Sequence, residues 1–139
     1  MRNPHYAYTK ARQDYRRLAA AGHVFAMRNL GMMYENGTGV PRLPSEAARW
    51  YKKGAEKDDP VCLLRLGMLL ANGRGVPRDR PAAFAALHRA YTLGETAAGA
   101  ALARLVDAMD PEEANRAAKD AGLSQKDLEE LASLKERPS

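Results

Sequence analysis

A single cysteine, Cys62, stands among 139 residues, so no intrachain disulfide can form and a metal site of several thiolates is excluded. No window reaches the roughly 18 apolar residues that a bilayer-crossing helix needs. The opening MRNPHYAYTKARQDYRR has no apolar run after its charges and does not read as a secretory signal. Scarce cysteine fits a reduced, cytoplasmic setting; a periplasmic one fits if a leader has been removed. Aromatic residues make up 6% of the chain and β-branched residues are few, while alanine and leucine abound. That balance points to helix throughout and to one domain with a continuous core.

The patterns of catalysis are missing as well. His5, His23 and His88 lie far apart, and no H-E-x-x-H or comparable ligand spacing occurs. The acid pairs Asp58-Asp59 and Glu112-Glu113 fall at expected helix ends, where a carboxylate is not buried enough to become a general acid. No serine sits in a G-x-S-x-G turn. The expectation is a protein without catalytic residues, cofactor or metal.

What the sequence does have is uneven charge and punctuated glycine. Residues 1 to 57 carry 11 Lys+Arg against 4 Asp+Glu, whereas residues 110 to 139 carry 5 against 8. Such a basic front suits an acidic partner, unless the charges only solvate helix faces. Between two helical stretches, YENGTGVPRLPSEAARWY at 34 to 51 crowds two glycines and two prolines together. A dinucleotide loop would need a preceding strand and a third glycine where Arg42 stands, so Gly37-Thr38-Gly39 reads as a turn.

That turn returns 36 residues later. Leu30-Gly31, Asn36-Gly37, Gly39-Val40-Pro41-Arg42 and Ala47 meet Leu66-Gly67, Asn72-Gly73, Gly75-Val76-Pro77-Arg78 and Ala83. Upstream, Tyr51 meets Tyr15 and Asp58 meets Gly22; downstream, Cys62 and Leu66 meet Ala98 and Leu102. A fixed period of this size marks stacked supersecondary units. Each unit reads as two helices. Helix A spans about Phe25 to Asn36, with Ala26, Met27, Leu30, Met33 and Tyr34 on one face. Gly37 supplies a positive-φ stop, Pro41 and Pro44 prepare the next start, and helix B follows from about Ser45 to Lys57. The second unit offers Asp79 as N-cap. Gly31 and Gly67, inside helices, are expected to permit close helix approach, and Gly39 and Gly75 to need φ > 0. Leu30→Ala and Leu66→Ala should each cost about 2 to 5 kcal/mol.

These residues resemble the Sel-one-like repeat family, a relative of tetratricopeptide repeats. The first copy is nearly complete as Ala26, Leu30-Gly31, Tyr34, Gly37-Thr38-Gly39-Val40, Ala47, Trp50-Tyr51 and Ala55. The second keeps the glycines but has Leu70, Ala86 and Leu87 where aromatics are usual. The resemblance implies an all-α fold: a right-handed αα solenoid of helix pairs with C-terminal capping helices. It divides the chain into a partial repeat helix at 6–22, repeats at 23–58 and 59–94, a partial repeat at 95–108, and caps at 110–136. It also implies a protein–protein adaptor, monomeric or weakly dimeric, that holds a peptide or protein on a concave face lined by A helices. Carried onto this chain, that face comprises Phe25, Arg28, Asn29, Met32 and Asn36, then Val61, Arg65, Met68 and Asn72, then Arg104. Helical spacing makes each set one stripe, and the alternative is that Phe25, Met32 and Met68 only pack against neighbours. Cys62, matching Ala26 and Ala98, is expected buried and inert.

In the tail, Asp110-Pro111-Glu112-Glu113 is a helix start, Gly122 a stop, and Ser124 with Asp127 resembles a capping box. Leu128, Leu131 and Leu134 form one face of the last helix, as a terminal cap requires. The alternative function is nucleic-acid binding, through Arg12, Arg16, Arg17 and Arg49 or through the helix-turn-helix-like spacing from Ala118 to Leu131. Against the latter, Asp127, Glu129 and Glu130 face a single Lys126, and phosphates would be repelled.

Overall fold

A computed structural model describes residues 4–136, with side chains from 7 to 134, so the His5 side chain lies outside the described residues. Among the described residues eight helices follow one another: α1 (Pro4–Ala20), α2 (Val24–Asn36), α3 (Pro44–Ala55), α4 (Pro60–Asn72), α5 (Arg80–Thr92), α6 (Ala97–Ala108), α7 (Pro111–Asp120) and α8 (Gln125–Ala132). A 3-10 turn, Ser133–Glu136, closes the series, and no strand occurs among the described residues. The helices pack as a right-handed solenoid of antiparallel pairs. α2 and α4 are the A helices of the two repeats, α3 and α5 their B helices; α1 precedes the first pair and α6 follows the second.

The turns have the geometry their glycines call for. The N–H groups of Gly37 and Thr38 both return to the Met33 carbonyl, and those of Gly73 and Arg74 return to Leu69. Gly37 and Gly73 take φ of 70° and 63°, the left-handed stop that ends a helix without steric cost. Each loop then closes on its own helix, Leu43 N–H on the Tyr34 carbonyl at 2.9 Å and Asp79 N–H on Leu70 at 3.0 Å. Helix α3 begins at Pro44, one residue ahead of the expected Ser45, since proline suits the first turn. It ends at Ala55 rather than Lys57, because the chain must enter a left-handed residue at Asp58, φ 59°.

Close approach explains the remaining repeated glycines. A Cβ on Gly31 would enter the Tyr51 ring, and one on Gly67 would lie 2.7 Å from Leu87 Cγ. Gly39 and Gly75, at φ 72° and 74°, rest on the helix one period back, Gly39 against Tyr8 of α1 and Gly75 against the Pro44 backbone at the start of α3. Tyr8 and Pro44 are themselves 36 residues apart, so α1 joins the stack in register.

Two clusters form the core. Ala26, Leu30, Tyr34, Trp50 and Tyr51 centre the first, which α1 covers through Ala19. Phe84, Leu87, Leu102 and Leu105 centre the second, which α7 and α8 close with Ala114, Ala117, Leu128 and Leu131. The tail starts as its sequence indicates: Asp110 accepts from Glu113 N–H, and Ser124 and Asp127 cap each other reciprocally.

Candidate interaction site

The surface on the A-helix side is built three times at steps of 36 residues, and each time differently. Between α1 and α2, Tyr8, Tyr15, Asn29, Met32 and Asn36 line a shallow cleft of about 300 Å³. One step on, the space is filled. The Tyr51 hydroxyl donates to Glu35 Oε1 at 2.6 Å, and Arg65 reaches the same oxygen at 3.9 Å. Burial first, then the bond to Glu35, pushes the Tyr51 phenol well above its ordinary range, so it stays a neutral donor. One step further, the positions of Glu35, Tyr51 and Arg65 are taken by Ala71, Leu87 and Ala101. Without the long polar side chains a cleft of about 410 Å³ opens between α4 and α6.

The same interval lacks a loop. Residues 37–43 and 73–79 separate A from B in the two repeats, but only Met109 and Asp110 separate α6 from α7. The Gly-x-Gly turn that would rest on the first turn of α5 is therefore absent, and Arg80 borders the cleft together with Arg78, Arg104, Met68 and Asn72. Among the described residues, none of the six ion pairs engages Arg78, Arg80 or Arg104, and no carboxylate lines the cleft.

The ten residues expected on the A-helix face thus separate into groups. Met68, Asn72 and Arg104 converge on the α4–α6 cleft, and Asn29, Met32 and Asn36 on the α1–α2 cleft, with Met32 half-buried against the first core. Phe25 is 47% exposed at the start of α2, beside His23, and Val61 is half-buried at the start of α4. Arg28 and Arg65 commit their charge within the chain. Arg28 grips Asp59 with two guanidinium nitrogens, Nε to Oδ2 at 3.2 Å and Nη2 to Oδ1, and Asp59 in turn caps α4 by accepting from Cys62 N–H. Burial works to raise the Asp59 carboxyl, but the bonds from Arg28 and Cys62 outweigh it and hold the group below its usual value. Cys62 is fully buried; burial and then Asp59 push its thiol upward, away from reactivity.

Sequence reasoning missed Arg78 and Arg80, which belong to a loop and a B helix rather than to the A-helix stripes. The signal that could have found them is the shortened third turn, since a missing loop uncovers whatever it would have rested on. The basic residues of the alternative reading are largely engaged: Arg16 donates to the Tyr34 hydroxyl, Arg17 pairs with Asp14 and Arg49 with Glu46. In the helix-turn-helix-like segment, Leu128 and Leu131 are buried in the core and Asp127 is held by Ser124.

Comparison with known proteins agrees with this geometry. The Sel1 repeat model matches residues 24–59 and 60–95. A solved Sel1 repeat protein from Oxalobacter formigenes superposes with a TM-score of 0.68 at 30% identity, over 95% of this chain and 47% of that one. The structure of c5321, a protective antigen present in uropathogenic Escherichia coli strains and displaying an SLR fold, gives 0.68 at 27% identity, over 92% of this chain and 29% of that one. The chain therefore spans less than half the length of either. No curated protein matches it. Sel1 repeat proteins are generally protein–protein interaction scaffolds and typically lack catalysis. With both repeats matched and their turns, caps and glycine contacts recurring in register, the chain belongs to the Sel1 repeat family.

Proposed function

We propose that the chain is a small non-enzymatic adaptor that holds an acidic peptide segment of a protein partner along the face of its A helices, centred on the α4–α6 cleft. The observation that carries this reading is the convergence of Arg78, Arg80 and Arg104, without carboxylate partners among the described residues, on a cleft floored by Leu87, Ala101 and Leu105. An apolar floor with charged walls of one sign favours a carboxylate-bearing segment whose aliphatic parts lie on the floor. Met68, 37% exposed, adds a polarizable surface of the kind that adapts to varied peptides. A monomer or weak homodimer in the cytoplasm goes with this function.

Selection from a displayed library of random peptides tests the reading. Recovered sequences should be enriched in Asp and Glu, and their affinity should fall as salt screens the arginines. Arg80→Glu or Arg104→Glu should abolish binding, and Arg104→Glu, at an exposed position, should do so with the melting temperature unchanged. Recovery of basic or charge-free sequences, or binding indifferent to both reversals, rejects it.

A further inference from the structure

A second and larger opening lies on the other side of the stack, between the B helices α3 and α5. Its volume is about 720 Å³, and its walls include Leu66, Leu70, Val76 and Ala86. One repeat earlier the corresponding residues are Leu30, Tyr34, Val40 and Trp50, and all four are buried, Trp50 at 8% exposure and Tyr34 at 4%. There the indole and the phenol ring fill the interval between α1 and α3 as part of the first core. In the second repeat Leu70 and Ala86 leave that volume empty and open to solvent, and Leu66, Leu70 and Val76 become half-buried. The chain thus displays, within itself, the side chains that fit such a space.

Charge narrows the choice of occupant. Lys52 and Arg78 stand around the opening, together with Arg49, whose charge is shared with Glu46; among the described residues that line it the one acid, Asp79, already accepts from Ala82 N–H as the cap of α5. In the filled interval the Trp50 ring is flanked by Arg49 and Lys53, whose cationic groups lie 5.6 and 4.7 Å from its centre. An aromatic side chain seated between α3 and α5 would have Arg49 and Lys52 at the rim in a comparable way.

We infer that the α3–α5 cleft is a docking site for a protein partner that inserts an aromatic side chain, tryptophan or tyrosine, followed by acidic residues. The site shares Arg78 with the α4–α6 cleft but no other lining residue, and its test does not depend on that cleft. Buried aromatic anchors in a preformed apolar cleft contribute most of the affinity at such contacts, and rim charges set the register.

The test uses two blocked peptides, acetyl-Trp-Glu-Glu-amide and acetyl-Trp-Lys-Lys-amide, titrated into the full chain and followed by methyl NMR. The acidic peptide should shift the methyls of Leu66, Leu70 and Val76 and bind roughly tenfold more tightly than the basic one. Ala86→Trp, which restores the residue of the first repeat, should abolish those shifts; a melting curve checks that this variant is folded. Lys52→Glu alters only the exposed rim and should erase the preference for the acidic peptide, while Arg104→Glu should change neither result. Absence of shifts at the three methyls in the unmodified chain overturns the proposal, as does equal binding of the acidic peptide by a folded Ala86→Trp variant. A concentration-dependent dimer dissolved by Ala86→Trp would assign the cleft to a second copy and overturn it equally.

Discussion

Leu30, Tyr34 and Val40 are buried to 0, 4 and 7% exposure, while Leu66, Leu70 and Val76, one period later, are all half-buried. The backbone turns around them are the same, down to the left-handed glycines and the bonds that close each loop. What differs is the aromatic set: Tyr34, Trp50 and Tyr51 in the first repeat, Leu70, Ala86 and Leu87 in the second. Turn and capping chemistry therefore fixes the fold of the unit, and the large side chains decide whether the space between units is core or cleft. One repeat stabilises the stack. The next keeps the same path and leaves two openings.

Removing a leucine from each repeat gives the largest contrast. Leu30→Ala should cost about 3 to 5 kcal/mol, since the side chain is fully enclosed and the hole cannot collapse against α1 and α3. Leu66→Ala borders the open cleft and should cost less, about 1 to 2 kcal/mol. Chemical denaturation of both variants measures the difference. The sequence alone suggested equal costs for the two; equality would mean that the α3–α5 cleft is closed in solution.

Helix glycines sharpen the same comparison at a smaller scale. Gly31→Ala drives a methyl into the Tyr51 ring, which is fully buried and tied to Glu35, so about 1 to 3 kcal/mol should be lost. Gly67→Ala meets the buried Leu87 at Cγ 2.7 Å and Cδ2 2.8 Å, a smaller overlap than at the Tyr51 ring, while the gain in helix propensity, about 1 kcal/mol, is common to both variants. Thermal unfolding should rank Gly67→Ala well above Gly31→Ala.

Much of this was legible in the residues themselves. The period, the helix pairs, the caps at Asp79, Asp110 and Ser124, and the close approach at Gly31 and Gly67 follow from local chemistry that a sequence states directly. The replacement of aromatics at Leu70, Ala86 and Leu87 was visible too, but not its consequence. Whether a neighbour moves in to fill a lost ring depends on helix packing, which no local pattern encodes. For the same reason Arg28 looked outward by helical spacing, yet the stack brings it to Asp59, 31 residues away. The arginines of the α4–α6 cleft became a group only because a loop elsewhere in the chain is short.

Acid sets the two intervals apart through that ion pair. Asp59 is 7% exposed and holds a carboxyl below its ordinary value, so it gains protons more readily when unfolded. Its contribution is therefore complete above the unfolded value of about 3.9 and is lost as the pH falls through the folded one. Arg28→Gln should lower stability at neutral pH by about 1 to 3 kcal/mol and flatten the acid limb of the stability curve. The related pair Arg89–Asp58 is exposed on both sides, and Arg89→Gln should leave that limb unchanged.

Asp58 provides the finest test, because the junction between units recurs at Gly22, Asp58 and Gly94 with φ of 94°, 59° and 101°. Two of these three positions have the residue that adopts a left-handed backbone without strain, and the third does not. Nothing lies within reach of a Cβ at Gly22 or Gly94, so backbone conformation rather than crowding selects glycine there. Asp58→Gly should then stabilise the fold by up to about 1 kcal/mol, even with the exposed contact to Arg89 removed. Asp58→Val should destabilise it, as a β-branched residue resists positive φ. A melting temperature that rises for glycine and falls for valine would show that the junction is set by backbone geometry in every repeat. The reverse order would mean that Asp58 holds α5 against the first repeat through its charge, and that the two halves are joined by more than packed helices.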